Sequence, residues 1–268
     1  ALPERSAPRL GVKWSPAARE VLPLIDLIEV NGWGLAAKLP PVPVLLHNLD
    51  LDFSLTTPGI LSEEWAERAA AAIARTGSPW FSLHLGFSAE RVRFAGHMLP
   101  DSAPLDRAVC LERTTAAARF LRERLDVPLL LENLDYCPEG AYEHICQPDF
   151  IAEVVAGAEC GLLLDLAHLR VSADWLGYEP IDYLARLPLE RVVEVHLSGP
   201  RRLGARLDDS HRELTAEDEE VLRWLLGQCA PRAVVLEYDR DAARLRQQVE
   251  RLRGIVASAG TVVAPAPD

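Results

Sequence analysis

The chain has 268 residues, 49% of them hydrophobic, enough to bury a core of α/β-barrel size within one domain spanning residues 1–268. A net charge of −12 and a pI near 5.1 argue against a broad, sequence-independent grip on nucleic acid, which needs basic surface. Five cysteines without a CxxC pair (Cys110, Cys137, Cys146, Cys160, Cys229) read as reduced, mostly buried thiols of a cytoplasmic protein, and with no signal peptide or apolar span of roughly eighteen residues in view neither export nor membrane insertion is expected.

Residues 1–8 read as a loose terminus, and the first strand follows at Leu10–Trp14 (LGVKW). Ser15 then caps a helix that has Pro16 at its first position. The second strand is Asp26–Val30 (DLIEV), and the link after it (NGWGLAAKLPP) leaves room only for a short or distorted helix. Val42–His47 (VPVLLH) is the third strand; Ser62 caps an alanine-rich helix running to Arg75; Trp80–Leu85 (WFSLHL) is the fourth strand. Leu105–Leu125 carries apolar residues at helical spacing and leads into the fifth strand, Val127–Asn133 (VPLLLEN).

The sixth strand, Gly161–Leu166 (GLLLDL), is an apolar run that ends abruptly in Asp165, with His168 on the loop beyond. Arg191–Leu197 (RVVEVHL) is the seventh strand. Thr215 with Asp218 forms a capping box for a helix to Leu226, with Gly227 as its stop. Ala233–Tyr238 (AVVLEY) is the eighth strand, Asp239–Val256 the last helix, and 259–268 a second loose terminus.

Eight strands alternating with helices predict an α/β fold, a parallel (β/α)8 TIM barrel with its functional site at the C-terminal face. A doubly wound open sheet is the runner-up, and the glycine-rich first turn it would carry is missing. Four long polar segments (Gly86–Pro104, Leu134–Gln147, Arg170–Glu179, Ser198–Leu214) should rim the pocket, whereas the returns at LDVP and CAPR are short.

The strand ends carry His47, His84, Glu132, Asp165 with His168, His196 with Asp209 and His211 on the following loop, and Glu237. Nine such donors without compensating lysines would be costly to desolvate, and cations resolve this. Imidazole and carboxylate without thiolate suit iron, manganese or zinc. They fall into three groups. His47, His84 and Glu132 form one, with Glu132 free to bridge; Asp165, His196 and Glu237 form the second; His168, Asp209 and His211 form the third.

Asn31, Asn48, Asn133 and Tyr238 neighbour these donors and could orient them. One of Arg201, Arg202 and Arg206 could clamp a substrate carboxylate, although surface arginines are more often solvated charges. His97 and His144 lie inside long loops, where solvent exposure and substrate contact are both open.

The segments SLHLG, LLLENLDY, GLLLDLAHLRVSADW, EVHLSG, DDSH and VLEYD resemble the multinuclear non-haem iron-dependent oxidative enzymes, over nearly the whole chain. The resemblance implies a xylose-isomerase-like TIM barrel holding two or three irons and using dioxygen on a ribosomally made peptide, often at cysteine, or on an amino-acid-derived substrate. It implies His47, His84, Glu132, Asp165, His168, His196, Asp209, His211 and Glu237 as ligands, with Glu132, Asp165 and His168 nearest the chemistry. It also implies a peptide-recognition partner, expected here as a separate protein. LDYCPEG stands where many members carry a serine-rich stretch. Endonuclease IV-like phosphodiesterases share the same ligand logic around three zinc ions, and related sugar isomerases and epimerases are a more distant likeness.

Overall fold

The computed structural model describes residues 6–50 and 54–259; of the loose termini expected at 1–8 and 259–268, residues 1–5 and 260–268 lie outside the described residues. Eight parallel strands close into a barrel: β1 Arg9–Lys13, β2 Leu27–Val30, β3 Val44–His47, β4 Phe81–His84, β5 Leu129–Glu132, β6 Gly161–Asp165, β7 Val192–Leu197 and β8 Ala233–Leu236. Each pairs with its sequence neighbours, and β8 closes on β1 with Val12 opposite Leu236. The eight expected strands are all present, the first shifted one residue toward the N-terminus and the other seven trimmed by one to three residues.

The helical layer differs more. The segment after Ser15 winds as a 3-10 run, Ala17–Leu24, because Pro23 inside it denies α-helical hydrogen bonding; the Ser15 hydroxyl still accepts from Ala18 N–H at 3.2 Å. The second crossover is only a 3-10 turn, Gly34–Ala36. Full helices begin with α1 Glu63–Thr76, capped by Ser62 at Trp65 N–H and stopped by Gly77 in the left-handed region, followed by α2 Arg107–Arg122 and α3 Pro148–Ala158.

The segment expected as a loop from Arg170 is instead α4, Leu166–Leu176, which starts directly on the end of β6. A short helix α5, Pro180–Leu184, follows it. The Thr215–Asp218 capping box heads α6, Ala216–Gln228, which runs through Gly227 instead of stopping there, because Gly227 keeps helical backbone and Cys229 takes the cap. The last helix, α7, is Ala242–Ala259. Two rim segments fold as antiparallel hairpins, Val92–Phe94 with Met98–Pro100 and Gly199–Leu203 with Arg206–Arg212.

The strand pleat decides where chemistry can sit. Leu27, Leu45, Trp80, Leu130, Leu163, Ala233 and Val235 form one buried cluster separate from the main core, as the filling of the barrel's interior. Two residues further along each strand the same face must recur. Counting on from that layer gives Glu29, His47, Ser82 and then His84, Glu132, Asp165 and Glu237. Register aligns them laterally, with His84 opposite Glu132 and Asp165 opposite His196.

Among the described residues no helix is long and apolar enough to cross a membrane. Gly11 leaves space in the interior layer for Leu27, since a Cβ there would fall 2.1 Å from Leu27 Cδ1. Gly11→Ala is therefore expected to cost about 1–3 kcal/mol by overpacking, read as a lower denaturant midpoint with unchanged slope.

Candidate metal centre

Glu132, at the end of β5, is the hub. Its Oε2 lies 3.0 Å from His47 Nε2 and 3.2 Å from His84 Nε2, and its Oε1 lies 3.4 Å from His168 Nδ1 and 3.6 Å from His196 Nδ1. The side chain is buried. Four imidazoles within reach of one carboxylate leave it ionised: burial opposes ionisation, but His47 and His84 hold its carboxyl well below the ordinary carboxylate range.

Asp165 serves two purposes. As the N-cap of α4 its Oδ1 accepts from His168 N–H at 2.8 Å, which fixes His168 in the first helical turn instead of on a loop. Its Oδ2 is buried with no hydrogen-bond partner among the described residues. Burial, with Glu132, Asp209 and Glu237 nearby, pushes its pKa up to about 6 despite His168. Asn133 holds it from behind: Asp165 N–H donates to Asn133 Oδ1 and Asn133 Nδ2 donates to Asp165 O, both at 2.9 Å.

The other rings are aimed in the same way. His168 Nδ1 donates to Asn133 O at 2.9 Å, leaving Nε2 toward Asp209 Oδ2 at 3.6 Å. His47 Nδ1 bonds the Ser82 hydroxyl at 3.0 Å, and Asn48 spans His47 Nε2 and the His84 backbone N–H. His196 Nε2 meets Glu29 Oε2 at 2.7 Å, so its Nδ1 faces Glu132 and Glu237, buried and without a hydrogen-bond partner among the described residues. This carboxylate–histidine pairing sets the tautomer in metal sites.

The hairpin after β7 brings Asp209 Oδ2 to 2.7 Å from His211 Nε2, while Glu237 Oε2 lies 3.9 Å from His211 Nδ1. Asn48 and His211 both carry positive φ, 52° and 45°, strain of a kind that collects at functional sites.

The nine donors expected from the sequence thus lie around one mouth; two of the expected groups close as triads, His47–His84–Glu132 and Asp165–His196–Glu237, whereas His168 closes with Glu132 and Asp165, and Asp209, 3.6 Å from His168 Nε2, links it to His211. The orphaned Glu132 Oε2, Asp165 Oδ2 and His196 Nδ1 fit a multinuclear cation centre, since each is a buried lone-pair atom facing the others. Without cations, protons must stand in. Burial disfavours the charged imidazoles, yet the surrounding carboxylates raise His47, raise His168 and His196 well above the ordinary range, and lift His211 to about 9.

Several expectations need correction. A lysine does compensate: Lys13 Nζ lies 3.4 Å from Glu237, and with His196 and His211 it draws that carboxyl, against burial, down to about 2. Tyr238 does not face the donors, because its hydroxyl donates to Glu213. Arg201 is engaged by the Glu213 and Pro200 carbonyl oxygens and Arg202 by Asp174, while Arg206 lines the cavity but also pairs with Asp174 and stacks on Trp175. Asn31 lines the cavity and accepts from Gly34 N–H. His97 lines the cavity as well, whereas His144 does not.

Sequence reasoning passed over Glu29, Glu194, Asp135 and Lys13. The available signal was parity: an acid or lysine at an inward position of an apolar strand, as in DLIEV, RVVEVHL and LGVKW.

Above the centre is a cavity of about 570 Å³ walled by Trp14, Phe87, Met98, Tyr136, Tyr142 and Trp175. The sequence pattern of the family described as "RiPP precursor modification enzyme MbnB/TglH/ChrH" matches residues 33–259, and the chain belongs to that family of peptide-modifying enzymes. A UPF0276 protein of Anaeromyxobacter sp. (strain Fw109-5) is 30% identical over 213 residues, covering 79% of this chain and 74% of the relative. A UPF0276 protein of Bordetella pertussis is 35% identical over 192 residues, 68% of this chain and 62% of the relative.

Among solved structures, a D-tagatose 3-epimerase-like protein superposes with a TM-score of 0.67 at 14% identity, over 94% of this chain and 98% of that one. Endonuclease IV from Thermus thermophilus gives 0.58 at 21%, over 94% and 100%. At those identities the likeness is one of fold.

Cation loading must displace imidazole protons. Affinity for a divalent cation should therefore rise with pH through about 9, the region in which His211 gives up its proton; competition titrations between pH 6 and 9.5 check this, and a flat profile would contradict it. Glu29→Ala, which frees the far nitrogen of His196, should weaken metal binding by roughly tenfold to a hundredfold, read by elemental analysis after dialysis against a chelator.

Proposed function

We propose that the chain is a multinuclear non-haem iron enzyme that uses dioxygen to oxidise a residue of a ribosomally made peptide, at cysteine or another side chain. The observation that carries this reading is the Glu132 hub, an ionised buried carboxylate within 3.6 Å of four imidazoles, in a donor set without thiolate. Imidazole and carboxylate in this proportion suit redox-active iron.

The ligands in this reading are His47, His84 and Glu132 for one ion, Asp165, His196 and Glu237 for a second, and His168, Asp209 and His211 for a third, with Glu132 placed to bridge. When bound, the irons would supply the oxygen-binding position and relay electrons from the substrate residue to dioxygen. The chain's own residues then do the rest. Asn133 and Asn48 hold Asp165 and His47 in place, and Glu29 keeps His196 Nδ1 toward the centre.

The aromatic walls keep water from the reacting side chain, while the roughly 570 Å³ of cavity suits a peptide side chain with its flanking backbone. Asp135, held protonated more readily than usual by burial, faces the same space and can give or take a proton. A separate recognition protein would deliver the peptide.

A trinuclear zinc phosphodiesterase is the second reading, since it needs the same ligands. The cavity's charge weighs against it: Lys13 and Arg206 are the only lysine or arginine among the described lining residues, Lys13 is paired with Glu237, and Asp135, Asp208 and Asp209 also line it. A phosphate backbone would meet repulsion there.

Metal analysis with Mössbauer spectroscopy on protein purified without oxygen tests the choice. Two or more irons per chain with spin coupling are expected; stoichiometric zinc that iron cannot replace, with cleavage of abasic DNA, would overturn the proposal. Glu132→Ala should lower turnover by at least about a hundredfold and remove the coupling signal, and full activity in that variant would refute the bridging role.

A further inference from the structure

A second group of metal-competent side chains lies at the rim, apart from the nine donors. One ring nitrogen of His97, Cys137 Sγ and a Glu139 carboxylate oxygen all lie within 4.8 Å of one another. His97 sits at the turn of the Val92–Pro100 hairpin, and Cys137 and Glu139 come from LDYCPEG, the stretch after β5. His97 and Cys137 line the cavity. His97 Nε2 is buried and has no hydrogen-bond partner among the described residues, so it is a lone pair or N–H without a counterpart.

We propose that His97, Cys137 and Glu139 form a distinct thiolate-bearing site for a borderline divalent cation of the zinc class, which pins the rim hairpin to the segment after β5. Cysteine, histidine and carboxylate are the three ligand types zinc takes, and a tetrahedral ion with bonds of about 2.0–2.3 Å needs ligand atoms roughly 3.3–3.8 Å apart. The three atoms stand within a slightly wider limit, and Glu139, exposed and free of close packing, can close the gap.

Three protein ligands leave a fourth position for water. Burial, with Glu139 and Asp135, pushes the Cys137 thiol up to about 11, so the same surroundings that oppose a bare thiolate favour a cation beside it. On binding, the thiol proton goes to solvent and the thiolate bonds the ion.

The consequence is mechanical. The hairpin carries Phe94, 64% exposed, and Met98, which faces the cavity; beside the turn Met98 N–H donates to Tyr142 Oη at 3.0 Å. An ion between His97 and Cys137 would add a second tie at the turn, beside the single hydrogen bond from Met98 to Tyr142. This site is independent of which metals fill the centre below, because that centre contains no sulfur.

Cobalt(II) is the probe. The purified full chain, equilibrated with Co2+, should show a near-ultraviolet sulfur-to-cobalt charge-transfer band of one-thiolate intensity, which no ligand of the sulfur-free centre can produce. Cys137→Ser should abolish the band and lower bound metal by one ion per chain. His97→Ala, which keeps the thiol, should raise the Co2+ dissociation constant of that band at least tenfold. A wild-type chain with no such band, or a band that persists in Cys137→Ser, overturns the proposal.

Discussion

Everything at the mouth of this barrel follows from the cost of burying like charge. Glu29, Glu132, Asp165, Glu194 and Glu237 are all buried, and Asp209 nearly so. Each ionised carboxylate taken from water costs several kcal/mol even after relaxation. One lysine, Lys13, cannot balance six acids. The fold therefore requires either protons on the histidines or metal ions among them, and the two alternatives compete for the same atoms. The opposed shifts of Glu132 and Asp165 express that competition: the first keeps its charge because imidazoles surround it, while the second leans toward neutrality because it is buried with other carboxylates beside it.

The barrel supplies the precision that such a balance needs. Six of the nine central donors sit on or immediately beside the ends of hydrogen-bonded parallel strands, above a filled apolar layer. Parity makes their direction non-negotiable, since a one-residue slip would turn Glu132 outward and Leu131 inward. The backing groups are equally local. Asn133 adjoins Glu132 in sequence yet clamps the next strand over, and Asn48 adjoins His47 yet binds the backbone of His84. Each thus ties a donor to its lateral neighbour.

This explains what the sequence made legible. Mostly apolar runs with a polar residue at or near their carboxyl end marked the barrel strands, because a buried strand is largely apolar until it reaches the mouth. Helix α4 was missed because its start coincides with the strand's end: Asp165 is both the last residue of β6 and the cap of the helix, so no turn residue separates them. The same economy hid the hairpin at Gly199–Arg212, whose charged strands lack an apolar face. Glu29 and Glu194 escaped notice for a different reason. They interrupt apolar strand runs short of the last residue, and become intelligible only once His196 and Trp80 are seen bonded to them.

The third donor group stands on a different footing from the other two. Asp209 and His211 belong to the hairpin, not to the barrel, and His211 is held at positive φ. What fixes the hairpin is α4. Leu207 N–H donates to Asp174 Oδ2 at 3.0 Å, Trp175 Nε1 donates to Leu207 O at 3.2 Å, and Arg202 and Arg206 both reach Asp174. At the hairpin's foot Gly199 lies so near Glu213 that a Cβ would fall 2.2 Å from its carbonyl oxygen. One helix therefore sets both halves of the group: its first turn presents His168 and its last turn anchors the strand bearing Asp209. The two ends are rigidly related by the helix between them, and this is how a donor pair on a surface hairpin can be held to a partner at the barrel's centre.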